Sequence, residues 1–186
     1  SCTRSNGIWF NVWRIGRYLL ICPRDQLMTQ IVIDTSFGLI KLMFDDHELL
    51  RVEQAQSKQS RGCISNDVLQ PVIDCIEGRR DGLGIPIKLK GSDFQLKVWE
   101  AMRLVPPGEV ISYSELAKRA GNARAIRATA SACGQNPCAI IVPCHRVVRR
   151  DYRLGGFFWG METKKTLLQR EGLRIQGDQI IDSHHP

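Results

Sequence analysis

No stretch of this chain approaches the run of about eighteen apolar residues that a membrane helix needs, and no segment repeats. Arg14 and Arg17 ahead of Tyr18-Leu19-Leu20-Ile21-Cys22 have the outline of a short signal or lipoprotein sequence. That run is too short, and Ile21 is bulky where processing requires a small residue, so a cytoplasmic protein is expected. Histidine is scarce: there are four, two of them in the last three residues. None of the seven cysteines, at positions 2, 22, 63, 75, 133, 138 and 144, forms a Cys-x-x-Cys pair. A structural zinc site is therefore not expected, and the odd number argues against a secreted disulfide framework. Free thiols in a reducing compartment are the reading that remains.

What is present is the composition of a globular protein, with 43% hydrophobic and 24% charged residues. A length of 186 residues suits one core or two small subdomains. The 26 Lys and Arg against 19 Asp and Glu leave a net charge of +7, which suits a polyanionic partner.

Residues 1–27 show no clear period and read as an extension ahead of Met28. Ile31-Val32-Ile33 and Leu39 to Phe44 read as two strands joined across Asp34 to Gly38. The polar run from Gln54 to Gly62 reads as a loop. Val68, Leu69, Val72, Ile73 and Ile76 have helical spacing with Gly78 as the stop, and Pro71 blurs the start. Ser92-Asp93-Phe94-Gln95 has the form of a capping box opening a helix to about Leu104, ended by Pro106-Pro107-Gly108. Ser112-Tyr113-Ser114-Glu115 is a second such box, opening a short helix that Gly121 closes. Asn122 can cap a third helix to Cys133, and the pair suggests a helix-turn-helix. A last helix is expected from Glu162 to Glu171, and Gln176 to Pro186 reads as a disordered polar tail.

Chemistry concentrates in Pro143-Cys144-His145-Arg146-Val147, which follows the apolar run Ala139 to Val142, itself read as a buried strand. A thiol becomes a good nucleophile when a neighbouring base or cation takes its proton. A buried cysteine can equally be a small hydrophobe, and adjacent residues on a strand point to opposite faces. Pro143 cannot continue a ladder, so the strand is expected to break before Cys144 and free both side chains. The third helix carries Ala123, Ala125, Ala128, Ala130 and Ala132 with Arg124 and Arg127. Those alanines either pack on the protein core or let the helix lie close against another surface, with the arginines on phosphates.

From about Gly91 to Gly172 the chain resembles the O6-alkylguanine-DNA alkyltransferase family. The resemblance is carried by Phe94-Gln95 with Val98-Trp99, Pro107-Gly108-Glu109 leading to Ser112-Tyr113, and Arg127-Ala128. It continues through Asn136-Pro137, Pro143 to Val148, and Lys165 by way of Leu167-Leu168 to Glu171-Gly172. It implies a mixed α/β protein in which an RNase H-like α/β subdomain over residues 28–86 precedes a mainly helical domain over 87–175. The second domain would hold a winged helix-turn-helix-like DNA-binding unit, with 176–186 as the tail.

The resemblance also implies chemistry. Cys144 would accept the alkyl group from O6-alkylguanine, or O4-alkylthymine, in duplex DNA and be consumed once. His145 would take its proton through a water, oriented by Glu171, and Tyr113 would donate to the departing base. Arg127 would fill the gap left by a flipped base, with Arg124, Ala125 and Ala128 at the DNA. Val147, Phe157, Phe158 and Trp159 would line the substrate pocket, and Asn136 would hold the turn before the active segment. No cofactor and no metal are implied, and a monomer is expected. Phe157 stands where many members have tyrosine, and Trp159, where some have glycine, is expected to narrow the pocket. Arg149-Arg150-Asp151-Tyr152 lacks the glycine usual in that turn. The alternatives are a non-enzymatic lesion-binding protein on the same scaffold and a cysteine hydrolase.

Overall fold

The computed structural model describes residues 28–181 in full and, ahead of them, the backbone of three strands. These are β1 (Cys2–Ser5), β2 (Ile8–Ile15) and β3 (Tyr18–Pro23), an antiparallel meander where the sequence shows no period. The expected extension falls on this part; residues 1, 6, 7, 16, 17 and 24–27 lie outside the described residues, as do 182–186 of the expected tail. Two compact units divide the chain within its first helix: residues 1–70 with 86–88, and residues 71–85 with 89–186.

In the first unit β4 (Met28–Thr35), β5 (Gly38–Asp45) and β6 (Glu48–Gln54) form an antiparallel sheet in chain order. Alternation along β5 buries Ile40, Leu42 and Phe44 on one face. Strand β6 has no counterpart in the sequence reading. Phe44 pairs with Leu49 but Met43 with Arg51, so a bulge skips Leu50 and sets the buried Leu49 and Val52 three residues apart. That spacing does not read as a strand. Helix α1 (Asn66–Ile76) begins five residues before Pro71, which sits inside it and forgoes one backbone hydrogen bond.

The second unit contains the remaining helices. Ser92 and Gln95 close the expected capping box on α2 (Asp93–Arg103): Ser92 N donates to Gln95 Oε1 at 2.8 Å and Gln95 N to Ser92 Oγ at 3.4 Å. Trp99, buried on α2, donates from Nε1 to the Ala132 carbonyl at 2.8 Å and ties this helix to α4 (Ile126–Gly134). Between them, β7 (Ile111–Ser112) leads into α3 (Tyr113–Arg119), capped by Ser112 Oγ accepting from Glu115 N at 3.2 Å. Gly121, at φ +88°, makes the turn that follows. Asn122 does not cap α4. Its side chain accepts from Arg124 N at 3.2 Å and shapes the turn, and the helix starts four residues later at Ile126.

A single 3₁₀ turn, Cys144–Arg146, leads to β8 (Val147–Val148), which pairs in parallel with β7. That pairing fixes the end of the Cys144 turn against the strand that leads into Tyr113. Helix α5 (Met161–Arg170) follows, with Glu171 as its C-cap. The tail is not disordered up to Ile181. Strands β9 (Ile175–Gln176) and β10 (Gln179–Ile180) pair as a hairpin, and Ile180 joins Val148, Leu154, Leu168 and Leu173 in one buried cluster.

Candidate active site

The segment before the reactive turn is not a strand. Ala139 to Val142 are all buried but folded back: Val142 N donates to Cys138 O at 2.8 Å, and Ile140 takes φ +74°, where a β-branched residue is strained. Asn136 brackets the fold, donating from Nδ2 to Val142 O at 2.8 Å and accepting Cys138 N at 3.0 Å. The backbone of Gly82 lies so close that a Cβ there would fall 2.3 Å from Ile141 O. A strained, clamped segment of this kind delivers Cys144 in one position.

From that turn adjacent side chains serve different surroundings. Cys144 lines a cavity of about 240 Å³ with Tyr113, Ala130, Cys133, Gly134 and Gly156 to Phe158. Burial pushes its thiol up, partly offset by a hydrogen bond from Asn136 and by the charge of Lys164. Burial also pushes the Tyr113 phenol up to about 12, so it remains a proton donor. Phe158, 82% exposed, stands at the cavity's edge, while Phe157 packs edge-on to the His145 ring at a centroid distance of 6.4 Å.

His145, 1% exposed, bonds through Nε2 to Glu171 Oε1 at 2.9 Å. Arg146 grips the same carboxylate, with Nη2 to Oε1 at 2.8 Å and Nε to Oε2 at 3.2 Å, while its Nη1 donates to Val105 O at 2.6 Å. Gly108 N adds a fourth donor at 3.4 Å to Oε2. Burial alone would raise the Glu171 carboxyl, but the His145 hydrogen bond and the Arg146 guanidinium outweigh it and hold its pKa at about 2. Burial pushes His145 down despite Glu171, so the ring is neutral at rest. An ionised carboxylate only accepts, so Nε2 carries the proton and Nδ1 keeps its lone pair. That Nδ1 is buried and has no protein partner.

Lys164, wholly buried, spans from α5 to the carbonyls of Val147, at 2.6 Å, and Leu154. Burial lowers its pKa to about 8, with the two neighbouring thiols of Cys144 and Cys133 pulling the other way. It therefore pins both ends of the loop that runs from the Cys144 turn toward Phe157.

The structure thus brings Cys144, Tyr113, Phe157 and Phe158 around one cavity and His145 with Glu171 beside it. Trp159 and Val147 do not line that cavity. Trp159 is 6% exposed and packs inward, and Val147 is fully buried with its carbonyl bonded to Lys164. Trp159, expected to narrow the pocket, is thus absent from the lining of this cavity. Asn136 also lies outside the cavity wall, acting on the turn. Arg124, Arg127 and Ala128 are exposed and Ala125 is half-buried, so this end of α4 faces outward rather than into a core. Thr129 and Ala132 supply its buried side, and Ala130, Cys133 and Gly134 its wall of the cavity. In the turn without glycine, Tyr152 itself adopts φ +59°, donating to Arg149 O at 3.1 Å.

Lys164 and Cys133 are site residues that the sequence reading does not assign, and Arg146, read there as the cation beside Cys144 and His145, is bound to Glu171. Lys164 had a signal: with Leu167, Leu168 and Glu171 it occupies the inward face of an amphipathic helix, where an unpartnered lysine would be costly. The neighbouring Lys165, which the resemblance singled out, instead pairs with Glu162 at 2.9 Å on the surface. Among the described residues, no group of three or more His, Cys, Asp and Glu is placed to hold a metal ion, and no helix is long and apolar enough to cross a membrane.

A family model described as 6-O-methylguanine DNA methyltransferase, DNA binding domain, matches residues 93–173. A protein of Acanthamoeba polyphaga mimivirus named probable methylated-DNA--protein-cysteine methyltransferase is 38% identical over 146 residues, covering 78% of this chain and 97% of that protein. The bifunctional transcriptional activator/DNA repair enzyme Ada of Escherichia coli is 37% identical over 147 residues, 76% of this chain. The match spans only 42% of Ada's length. The crystal structure of Mycobacterium tuberculosis OGT in complex with DNA superimposes with a TM-score of 0.69 at 31% identity, covering 76% of this chain and 91% of that one.

Proposed function

Because the chain belongs to the methylated-DNA--protein-cysteine methyltransferase family, we propose that it repairs O6-alkylguanine in duplex DNA by moving the alkyl group irreversibly onto Cys144. The observation that carries this reading is the neutral thiol in a cavity beside a histidine whose Nδ1 lone pair is free and whose Nε2 is held by an ionised glutamate.

The geometry gives each group a task. The Cys144 proton passes to His145 Nδ1, directly or through one water, and the imidazolium that forms is stabilised by Glu171. Arg146 fixes the carboxylate so that it stays an anion throughout. The thiolate attacks the alkyl carbon in line, an S–C bond forms, and the C–O6 bond breaks with its electron pair going to the base. Tyr113 donates toward the ring as that charge develops. The product is a thioether, which water does not cleave, so each chain acts once.

A base must leave the duplex to enter a cavity of this size. Exposed Arg127 and Ala128 stand on the same helix as the cavity-lining Ala130 and Cys133, so α4 links a DNA-facing surface to the acceptor. Arg124 and the net charge of +7 add phosphate attraction without sequence preference. With this reading goes the finer description of the fold, an RNase H-like first unit and a winged helix-turn-helix built on α3 and α4, which pack together across the Gly121-Asn122 turn. The protein would act on DNA in the cytoplasm and nucleoid.

Stoichiometry separates this from its rivals. With excess duplex carrying O6-methylguanine, one lesion is expected to disappear per chain and no more. Continued turnover would indicate a hydrolase, and tight binding without loss of the lesion a non-enzymatic binder.

A further inference from the structure

Cys133 shares the cavity of Cys144, and the transfer proposed above gives it no role. Its Sγ lies 3.7 Å from the thioether of Met102, which is buried behind the cavity wall. We propose that Cys133 and Cys144 form a two-thiolate site for a soft monovalent cation, with cuprous ion as its representative. The site stands on the shared cavity; only its consequence, blocked alkyl transfer, rests on the function proposed above.

Thiolate and thioether donors select cuprous ion over harder cations. Burial keeps both thiols protonated, which makes them slow toward peroxides, since the thiolate is the reacting form. A bound metal ion removes such a proton outright. Loading would release two protons, form two S–Cu bonds and change no oxidation state. Two thiolates and one monovalent ion leave a single negative charge, and the buried ammonium of Lys164 acts on both sulfurs. The assembly is then neutral, as a buried ionic site requires. A divalent ion would leave excess positive charge, and zinc would want four donors. Apart from the two thiols, Tyr113 offers the only side-chain donor among the residues lining the cavity, and its phenol resists ionisation.

The full reduced chain is titrated without oxygen using cuprous ion buffered by a competing chelator, and followed by native mass and the ultraviolet thiolate-to-copper band. One copper per chain is expected that Cys133→Ser and Cys144→Ser each lose and Cys75→Ser keeps. Thermal melting verifies that each variant is folded, and Cys133→Ala replaces any serine variant that is not. Alkyl transfer, measured against each protein's own metal-free rate, should fall at least tenfold in the unsubstituted chain and recover with chelator, while Cys133→Ser should lose less than twofold. No copper on the unsubstituted chain, or copper retained equally by Cys133→Ser, would overturn the proposal. The binding readout holds even for a chain that transfers nothing, so failure of the site and failure of the proposed function are told apart.

Discussion

Cys144 and His145 are neighbours in sequence, yet their side chains occupy opposite electrostatic worlds. On the cysteine side the cavity is lined by Tyr113, Ala130, Phe157 and two glycines besides Cys133, with no carboxylate. On the histidine side Glu171 accepts from His145, Arg146 and Gly108 together. The carboxylate is thereby confined to the side away from the cavity, while the buried cation Lys164 acts on the cysteine side. The contrast teaches how a buried thiol can be stored unreacted. Burial keeps it protonated, and the anion that makes its base effective lies behind the imidazole rather than beside the sulfur.

Weakening the charged side should have the largest effect. Glu171→Gln removes the acceptor that fixes the His145 tautomer and leaves Arg146 buried without its counter-ion. Single-turnover alkyl transfer should slow by about a hundred- to ten-thousand-fold. The same variant should be less stable, by about 3–5 kcal/mol in urea melts, because breaking one partner of a buried pair strands the other. The parent chain should also show this pairing in its acid stability. The Glu171 pKa of about 2 lies below the usual 4.5, so its contribution is full above pH 4.5 and is lost as pH falls toward 2. That loss amounts to about 3 kcal/mol, and Glu171→Gln should lack this component of the acid profile.

The cysteine side should respond next. Tyr113→Phe keeps the wall but removes the donor, and should cost about a hundredfold in transfer rate with little change in duplex affinity. Arg127→Ala probes the outward end of α4. Duplex binding should weaken and the slope of log affinity against log salt should shrink by about one, while reaction with a free alkylated base is untouched. Smallest of all, Trp159→Phe should leave the ratio of benzyl to methyl transfer unchanged, since Trp159 packs outside the cavity. A changed ratio would return it to the pocket wall.

How far the sequence discloses this arrangement differs between its parts. The Ser92-to-Gln95 box and the Ser112 cap were legible because capping is a local interaction among four residues. Helix α5 was legible from its periodicity. Strand β6 was hidden by a bulge at Leu50, which breaks the alternation on which strand recognition depends. Ala139 to Val142 has the composition of a buried strand, and only tertiary clamping by Asn136 and the approach of Gly82 forces Ile140 into a left-handed conformation. Trp159 shows a related limit of motifs: a position in a loop does not reveal which way the side chain turns. Cys144 and His145 stood out as an adjacent thiol and imidazole after an apolar run, and the resemblance added Glu171 by position. The double grip of Arg146 and the buried staple of Lys164 depend on distances that no motif encodes.

The most direct test of the central claim uses duplex DNA whose O6-methyl group carries an isotopic label, followed by peptide mass analysis of the whole reacted chain. Labelled methyl should appear once per chain, on the sulfur of Cys144, and Cys144→Ala should gain none while still binding the duplex. Label on another cysteine, or lesion loss with no labelled peptide, would contradict the account.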